Sequence, residues 1–358
     1  FVLAEGCTFY DLDKPFRSSV YYVSTMQPDD QASIRNGARS EAQMRKEMEN
    51  LKAHGVLWPL DTSLNAGDIG LPRYQDLLRR ELRLRAETGL KTRPIYLNSN
   101  PNVGLAVTEP TPENLAEVTA RATMVMDIVE EVLGHRDVYF YGQDEAKAEE
   151  AERQKPFFRA IQAAGARVFN SGFRAETIPP GTYALAGDVM DLLICAAEPA
   201  PEEAALWHAK GHDIWNYAYP QSATENPAAY RRSGLVIYKS NYDGISTFCY
   251  WMNFGHPWND FDSTIQREMN FVYPTADGVV DTVHFAGYRE GFDDIRYATT
   301  MLQAARDARV SGDPAGVALA HKAEKFLAER NVLYADMNET RAVMIDYIMQ
   351  LQQWRKER

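Results

Sequence analysis

Cysteine is scarce: Cys7, Cys195 and Cys249 are the only three in 358 residues. They lie far apart and form no metal or redox motif. Any disulfide would leave one thiol over, so they do not settle the compartment. No apolar run is long enough to cross a membrane. Positive charge is also short. The 38 Lys and Arg against 50 Asp and Glu give a formal net charge of -12, which argues against nucleic acid or an anionic membrane as partner. The seven histidines show no HExxH or paired-ligand spacing. His208 and His212 stand four apart, but Gly211 is read as ending the helix between them. A GxSxG elbow, a P-loop, repeats and low-complexity tracts are all missing. No cofactor or metal is expected.

The composition, with 45% hydrophobic and 25% charged residues, suits one barrel-sized domain plus an extension. A start at Phe1, not Met, reads as trimmed or processed, so the compartment is unknown, and secretion or periplasmic residence is an expectation by analogy only. After an irregular arm, aromatic and β-branched runs alternate with helical patterns. Strands are read at Ser18–Ser24, Val56–Leu60, Arg93–Leu97, Val138–Tyr141, Arg167–Asn170, Val189–Ala197, Asp213–Tyr219 and Gly244–Asn253. Pro59 is read as the point where pairing of the second strand stops. Pro72 and Thr111-Pro112 start helices, and Gly89 and Gly134 stop them.

Eight such alternations within ~250 residues match a (β/α)8 barrel. A doubly wound sheet is the competitor, and it lacks a glycine-rich phosphate loop after the first strand. Three helices follow, from about Thr282 to Arg309, from Asp313-Pro314 to about Arg330, and from Asp336 onward, the last with a capping-box-like Asp336–Glu339 start. The expected fold is α/β: a (β/α)8 TIM barrel with a C-terminal helical extension. Residues 1–17 are read as an arm, 18–262 as a catalytic barrel, and 263–358 as a loop and helices packed on it.

The chain is organised around Val138-Tyr139-Phe140-Tyr141-Gly142-Gln143-Asp144-Glu145-Ala146. An aromatic strand runs into two adjacent carboxylates, at the carboxyl edge where barrel enzymes keep their sites. Gly142 is read as letting the backbone bend or approach a ligand. Period-two alternation would send Tyr139, Tyr141, Gln143 and Glu145 inward and Asp144 outward. Both acids can face one pocket only if the strand has ended and the chain is turning. The plainer alternative is that the acids open the next helix, where they suit the dipole.

The seventh and eighth strands end in Trp215, Asn216, Tyr217, Tyr219, Tyr250, Trp251 and Asn253, with Trp258 beyond. Flat apolar faces with a few polar groups suit a sugar, and ordinary barrel packing is the alternative for part of them. His256 could line the site or be structural. Neither strand ends in a carboxylate, and Asp213 sits at the wrong end of the seventh. A common retaining glycosidase needs carboxyl groups about 5–5.5 Å apart flanking the bond. Adjacent acids on one strand instead suit substrate-assisted hydrolysis, where a 2-acetamido group is the nucleophile.

A barrel with Asp-Glu ending its fourth strand resembles the glycoside hydrolase family 123 barrels and their DUF4091-type relatives. Three further segments carry the resemblance: Tyr230-Arg231-Arg232-Ser233-Gly234-Leu235 through Tyr242-Asp243-Gly244 to Tyr250-Trp251; Phe271 to Gly278, like their "YP…DG" loop; and Tyr288-Arg289-Glu290-Gly291-Phe292-Asp293-Asp294-Ile295-Arg296-Tyr297, like their "REG.DD.RY" helix. The resemblance implies β-N-acetylgalactosaminide hydrolysis, with Asp144 orienting the 2-acetamido group and Glu145 as acid/base. On spacing alone, Arg289, Glu290, Asp293, Asp294 and Arg296 read as an ion-pair network bracing helix to barrel. Arg232 could join it or reach the site.

The expected function is hydrolysis of a β-linked, possibly N-acetylhexosamine, glycan, with Asp144 and Glu145 catalytic. Substrate contacts are expected from Tyr141, Gln143, Trp215, Asn216, Tyr217, Tyr219, Arg232, Tyr250, Trp251, Asn253 and Trp258. One alternative is an inverting or other glycosidase pairing Glu145 with Asp260 or Asp262, at about 6.5–9.5 Å. Another is a non-catalytic carbohydrate-binding barrel.

Overall fold

The computed structural model describes residues 1–27, 37–61, 69–97, 108–252, 254–259, 261–264 and 267–357. The loop read at 98–102, together with Asn253 and Asp260, lies outside them. Helix starts follow local chemistry. Ser40, Thr111, Asn226, Thr282, Asp313 and Asp336 each accept a backbone N–H of the turn they open. Gly89 and Gly134 end their helices in the left-handed conformation at φ +76°.

Between these helices run eight parallel strands: β1 (Arg17–Tyr22), β2 (Leu60–Asp61), β3 (Ile95–Leu97), β4 (Val138–Tyr141), β5 (Arg167–Gly172), β6 (Leu192–Cys195), β7 (Asp213–Asn216) and β8 (Gly244–Thr247). They pair in chain order and close, with Arg17 opposite Gly244 and Val20 opposite Thr247. The fold is a (β/α)8 barrel. Pro59 does not end the second strand, as the sequence suggested. Leu60 and Asp61 pair with Tyr21 and Tyr22 just after it, because the missing N–H affects only its own position in the ladder.

The helices that wrap the barrel are α1 (Glu41–Ala53), α2 (Pro72–Thr88), α3 (Pro112–Leu133), α4 (Ala148–Ala163), the short α5 (Thr182–Ala186), α6 (Pro201–His208) and α7 (Pro227–Lys239). Strand alternation sorts two cores. Tyr21, Leu60, Tyr96, Tyr139, Tyr141, Phe169, Leu192, Ile194 and Trp215 fill the barrel interior. Val20, Tyr22, Ile95, Val138, Phe140 and Val168 face the helices.

The N-terminal arm lies against the amino ends of the strands. Lys14 Nζ bonds Asp213 at 2.8 Å and Asp243 at 2.7 Å, and His208 Nε2 meets Asp243 at 2.9 Å. Burial opposes charge on Asp243, but the bonds from His208, Lys14 and Tyr10 outweigh it and hold its pKa below the usual carboxylate value.

After the barrel come the Val272–Pro274/Val279–Asp281 hairpin, then α8 (Val283–Val310), α9 (Pro314–Glu329) and α10 (Met337–Lys356). α8 packs backbone to backbone on α7: a Cβ on Gly234 would sit 2.7 Å from the Gly291 carbonyl oxygen. Asp294, fully buried, joins Arg231 of α7 at 2.7 Å to Arg341 of α10, and Arg341 also meets Glu290 at 2.6 Å. The Tyr288 hydroxyl donates to the Ser19 carbonyl at 2.6 Å. The "REG.DD.RY" segment is therefore a brace between helices and barrel.

Candidate active site

β4 stops at Tyr141, and the chain turns before α4, with Glu145 at φ +47°. A glutamate rarely adopts this left-handed region. The turn breaks period-two alternation, so Asp144 and Glu145 both line one cleft of about 630 Å³ at the carboxyl end of the barrel. Ala197 after β6 and Ala218 after β7 also have positive φ, at 69° and 58°. Strained backbone thus gathers at this mouth, as it does at functional sites elsewhere. Gly142 serves packing, not a ligand. A Cβ there would lie 2.4 Å from both Asn170 Oδ1 and the Phe158 ring.

Each acid has its own hydroxyl partners. The Tyr141 hydroxyl donates to Asp144 Oδ1 at 2.5 Å, and the Ser171 hydroxyl donates to the same oxygen. The Ser171 N–H donates to the Tyr141 oxygen at 3.2 Å, locking the trio. The Tyr217 hydroxyl donates to Glu145 Oε1. Both carboxylates remain exposed to solvent, whereas their tyrosines are buried. Burial pushes the phenols of Tyr21, Tyr141 and Tyr217 well above the ordinary value, and the Glu145 bond and charge push Tyr217 further. They are therefore neutral at working pH, and Tyr141 and Tyr217 serve as donors. Tyr21 packs edge-on against Tyr217 and Phe248, at 6.2 and 5.5 Å between centroids, making an aromatic wall of the cleft.

Of the expected contacts, the cleft collects Tyr141 and Tyr217 with the acid pair. Others are corrected. Trp215 has no exposed surface and packs on Tyr96 at 4.7 Å inside the barrel. Asn216, also fully buried, donates to the carbonyls of Cys195 and Ala197 at 3.0 and 2.8 Å, tying β7 to β6. β8 ends at Thr247, six residues earlier than read, so Tyr250 and Trp251 turn away from the mouth. The Tyr250 hydroxyl donates to Asn50 of α1, and Trp251 stacks under the Arg39 guanidinium at 4.5 Å. Gln143 meets Gln154 of α4 through its backbone N–H at 3.0 Å, and its side chain is not in the cleft lining.

Tyr219 and Arg232 line a second cavity of about 580 Å³, which adjoins the cleft at Gln221. Trp258 stands half exposed, stacked on Tyr273 at 5.1 Å, and is not in the cleft lining either. Asp262 accepts the His256 backbone N–H at 2.9 Å, and neither residue lines the cleft.

Sequence reading missed Tyr21, Ser171, Gln221, Phe248 and Met269 in the lining. Two of these left a signal. Tyr21 has the parity of the inward residues of β1, and β5 runs two residues beyond Asn170 to Gly172, bringing Ser171 to the mouth. Among the described residues, no group of three or more His, Cys, Asp and Glu could hold a metal ion.

Comparison with protein-family models gives no match, and comparison with curated proteins gives none. Solved structures do match in shape. An endo-β-1,4-mannanase from Thermotoga petrophila aligns at TM-score 0.46 and 12% identity, over 77% of this chain and 77% of that one. An exo-β-1,4-mannosidase from Opitutaceae bacterium strain TAV5 aligns at 0.48 and 12%, over 83% and 62%. A mutant O-GlcNAc hydrolase from Thermobaculum terrenum aligns at 0.40 and 9%, over 94% and 82%.

Proposed function

We propose that the chain is a glycoside hydrolase that cleaves β-linked 2-acetamido sugars by substrate assistance. The observation that carries this is the acid pair. Two adjacent carboxylates share one solvent-open cleft, yet each is oriented by different hydroxyls. Asp144, fixed by Tyr141 and Ser171, accepts the acetamido N–H and aims its carbonyl oxygen at C1. Glu145, protonated, gives its proton to the glycosidic oxygen as the C1–O bond breaks and the oxazolinium ring closes. The leaving group departs as an alcohol. Glu145, now a carboxylate, takes a proton from the water that attacks C1, and the ring opens to the sugar with retained configuration. The likeness of the Asp144-Glu145 segment to family 123 and DUF4091-type barrels supports the reading. On it, the arm, the catalytic barrel over 18–262 and the C-terminal helices form one working unit.

The test is release of aryl groups from paired β-glycosides, each 2-acetamido sugar beside its 2-hydroxy counterpart. Turnover confined to the 2-acetamido members, and lost by about 10²–10⁴-fold in Glu145→Gln, is expected. Turnover of 2-hydroxy sugars would refute substrate assistance. Silence on every member, with binding of the same sugars, would leave a carbohydrate-binding barrel in its place.

A further inference from the structure

Glu145 borders two rooms. One is the axial cleft it shares with Asp144. The other is a smaller pocket of about 210 Å³ between the turn after β4 and the loop after β5. Phe173, Ile178, Pro179, Pro180 and Leu185 make its apolar side, and Lys147 and Thr182 are the polar side chains beside Glu145 in the rest of the lining. Phe173 packs against the interior core, whereas Ile178 is left half exposed at the rim. Asp144 is not part of this wall.

A general acid protonates the oxygen that joins the two halves of a glycoside, so the halves lie on either side of it. The half whose C1 is attacked must lie beside the residue that orients the attacking group. That is the axial cleft, with Asp144. The other half, which leaves with Glu145's proton as an alcohol or phenol, falls into the smaller pocket. We infer that this pocket is the leaving-group site and that it takes an apolar aglycone of about one or two fused rings. Four carbon-rich side chains around a half-exposed isoleucine gain by covering an apolar ring and removing it from water. Thr182 Oγ1 already accepts the Phe173 N–H at 3.0 Å, which leaves Lys147 and Glu145 as the partners for a second sugar's hydroxyls, too few to offset the water these side chains strip. The inference rests on the glycosidase reading and adds to it the class of substrate.

The test uses two substrates of whichever panel sugar the protein cleaves, the 4-methylumbelliferyl β-glycoside and the β-glycosyl azide. The azide leaves as three atoms and does not fill the pocket. The readout is the ratio of kcat/KM for the aryl substrate over that for the azide, in the wild type and in Ile178→Asn with Leu185→Asn. We expect the double variant to lower the ratio at least tenfold. The single Ile178→Ser change, at the half-exposed rim, is expected to lower it about threefold and serves if the double variant does not fold. A ratio unmoved in the folded variants would overturn the leaving-group site and leave the glycosidase reading standing. No turnover of either substrate by the wild type would overturn both.

Discussion

The Tyr217 hydroxyl donates to Glu145 across 72 residues of chain, tying the end of β7 to the turn after β4. Glu145 sits on strained backbone, and this bond fixes where its carboxyl points. A hydrogen bond between neutral groups, such as the Tyr217 phenol and the protonated acid, contributes about 0.5–1.5 kcal/mol. Tyr217→Phe should therefore lower kcat/KM by about twofold to tenfold while leaving the fold intact, because the ring still fills its place. Steady-state kinetics with circular dichroism decide it. Full activity in the phenylalanine variant would separate Tyr217 from the chemistry.

Ser171 is the corresponding partner of Asp144, and Tyr141 also holds that oxygen. Ser171→Ala removes one of two donors, so a partial loss is expected, roughly threefold to tenfold in kcat/KM on 2-acetamido substrates. Combining Ser171→Ala with Tyr141→Phe should cost more than the product of the two, since the trio shares one network. Simple multiplicativity of the two losses would contradict that coupling.

The arm beneath the barrel makes a prediction in pH. Asp243 has a depressed folded pKa, so it contributes stability above the unfolded carboxylate value of about 3.9, and that contribution is lost as pH falls through the folded value. Lys14→Met removes one of its bonds and leaves a buried charge held by fewer donors. A destabilisation of about 1–3 kcal/mol at neutral pH is expected, discounted because Lys14 is itself about a third exposed. The acid-unfolding midpoint should move to higher pH. An unchanged midpoint would show that the arm is ornamental to stability.

Trp215 separates packing from binding. With no exposed surface, it should act only through the core. Trp215→Ala is expected to cost about 3–5 kcal/mol in denaturant unfolding. A stable variant with a raised KM would return Trp215 to the substrate.

The barrel was legible because its signals are local. Prolines and capping residues start helices, glycines end them, and aromatic runs mark the strands between. The acid pair was legible for the same reason, since strand, turn and carboxylates are contiguous. The aromatic contacts were less so. Trp215, Asn216 and Tyr217 are consecutive, and parity sends them in turn to the core, to the neighbouring strand and to the mouth. The eighth strand was read too long, which turned Tyr250 and Trp251 towards a site they do not reach. Gly234, Gly291 and Asp294 show a different limit. Spacing already marked Asp294 for an ion-pair brace, but its partners Arg231 and Arg341, and the close helix crossing at Gly234 and Gly291, are revealed only by three-dimensional neighbours.

The described residues that line the cleft include two carboxylates and no lysine, arginine or histidine. A sugar bearing its own acid group would bring a second negative charge against the Asp144 carboxylate. At 4 Å, like charges repel by about 1 kcal/mol in water and about 4 kcal/mol near a protein surface. On the glycosidase reading, that repulsion predicts slower turnover of uronates, sialosides and sulfated sugars than of their neutral counterparts, which paired kinetics would check.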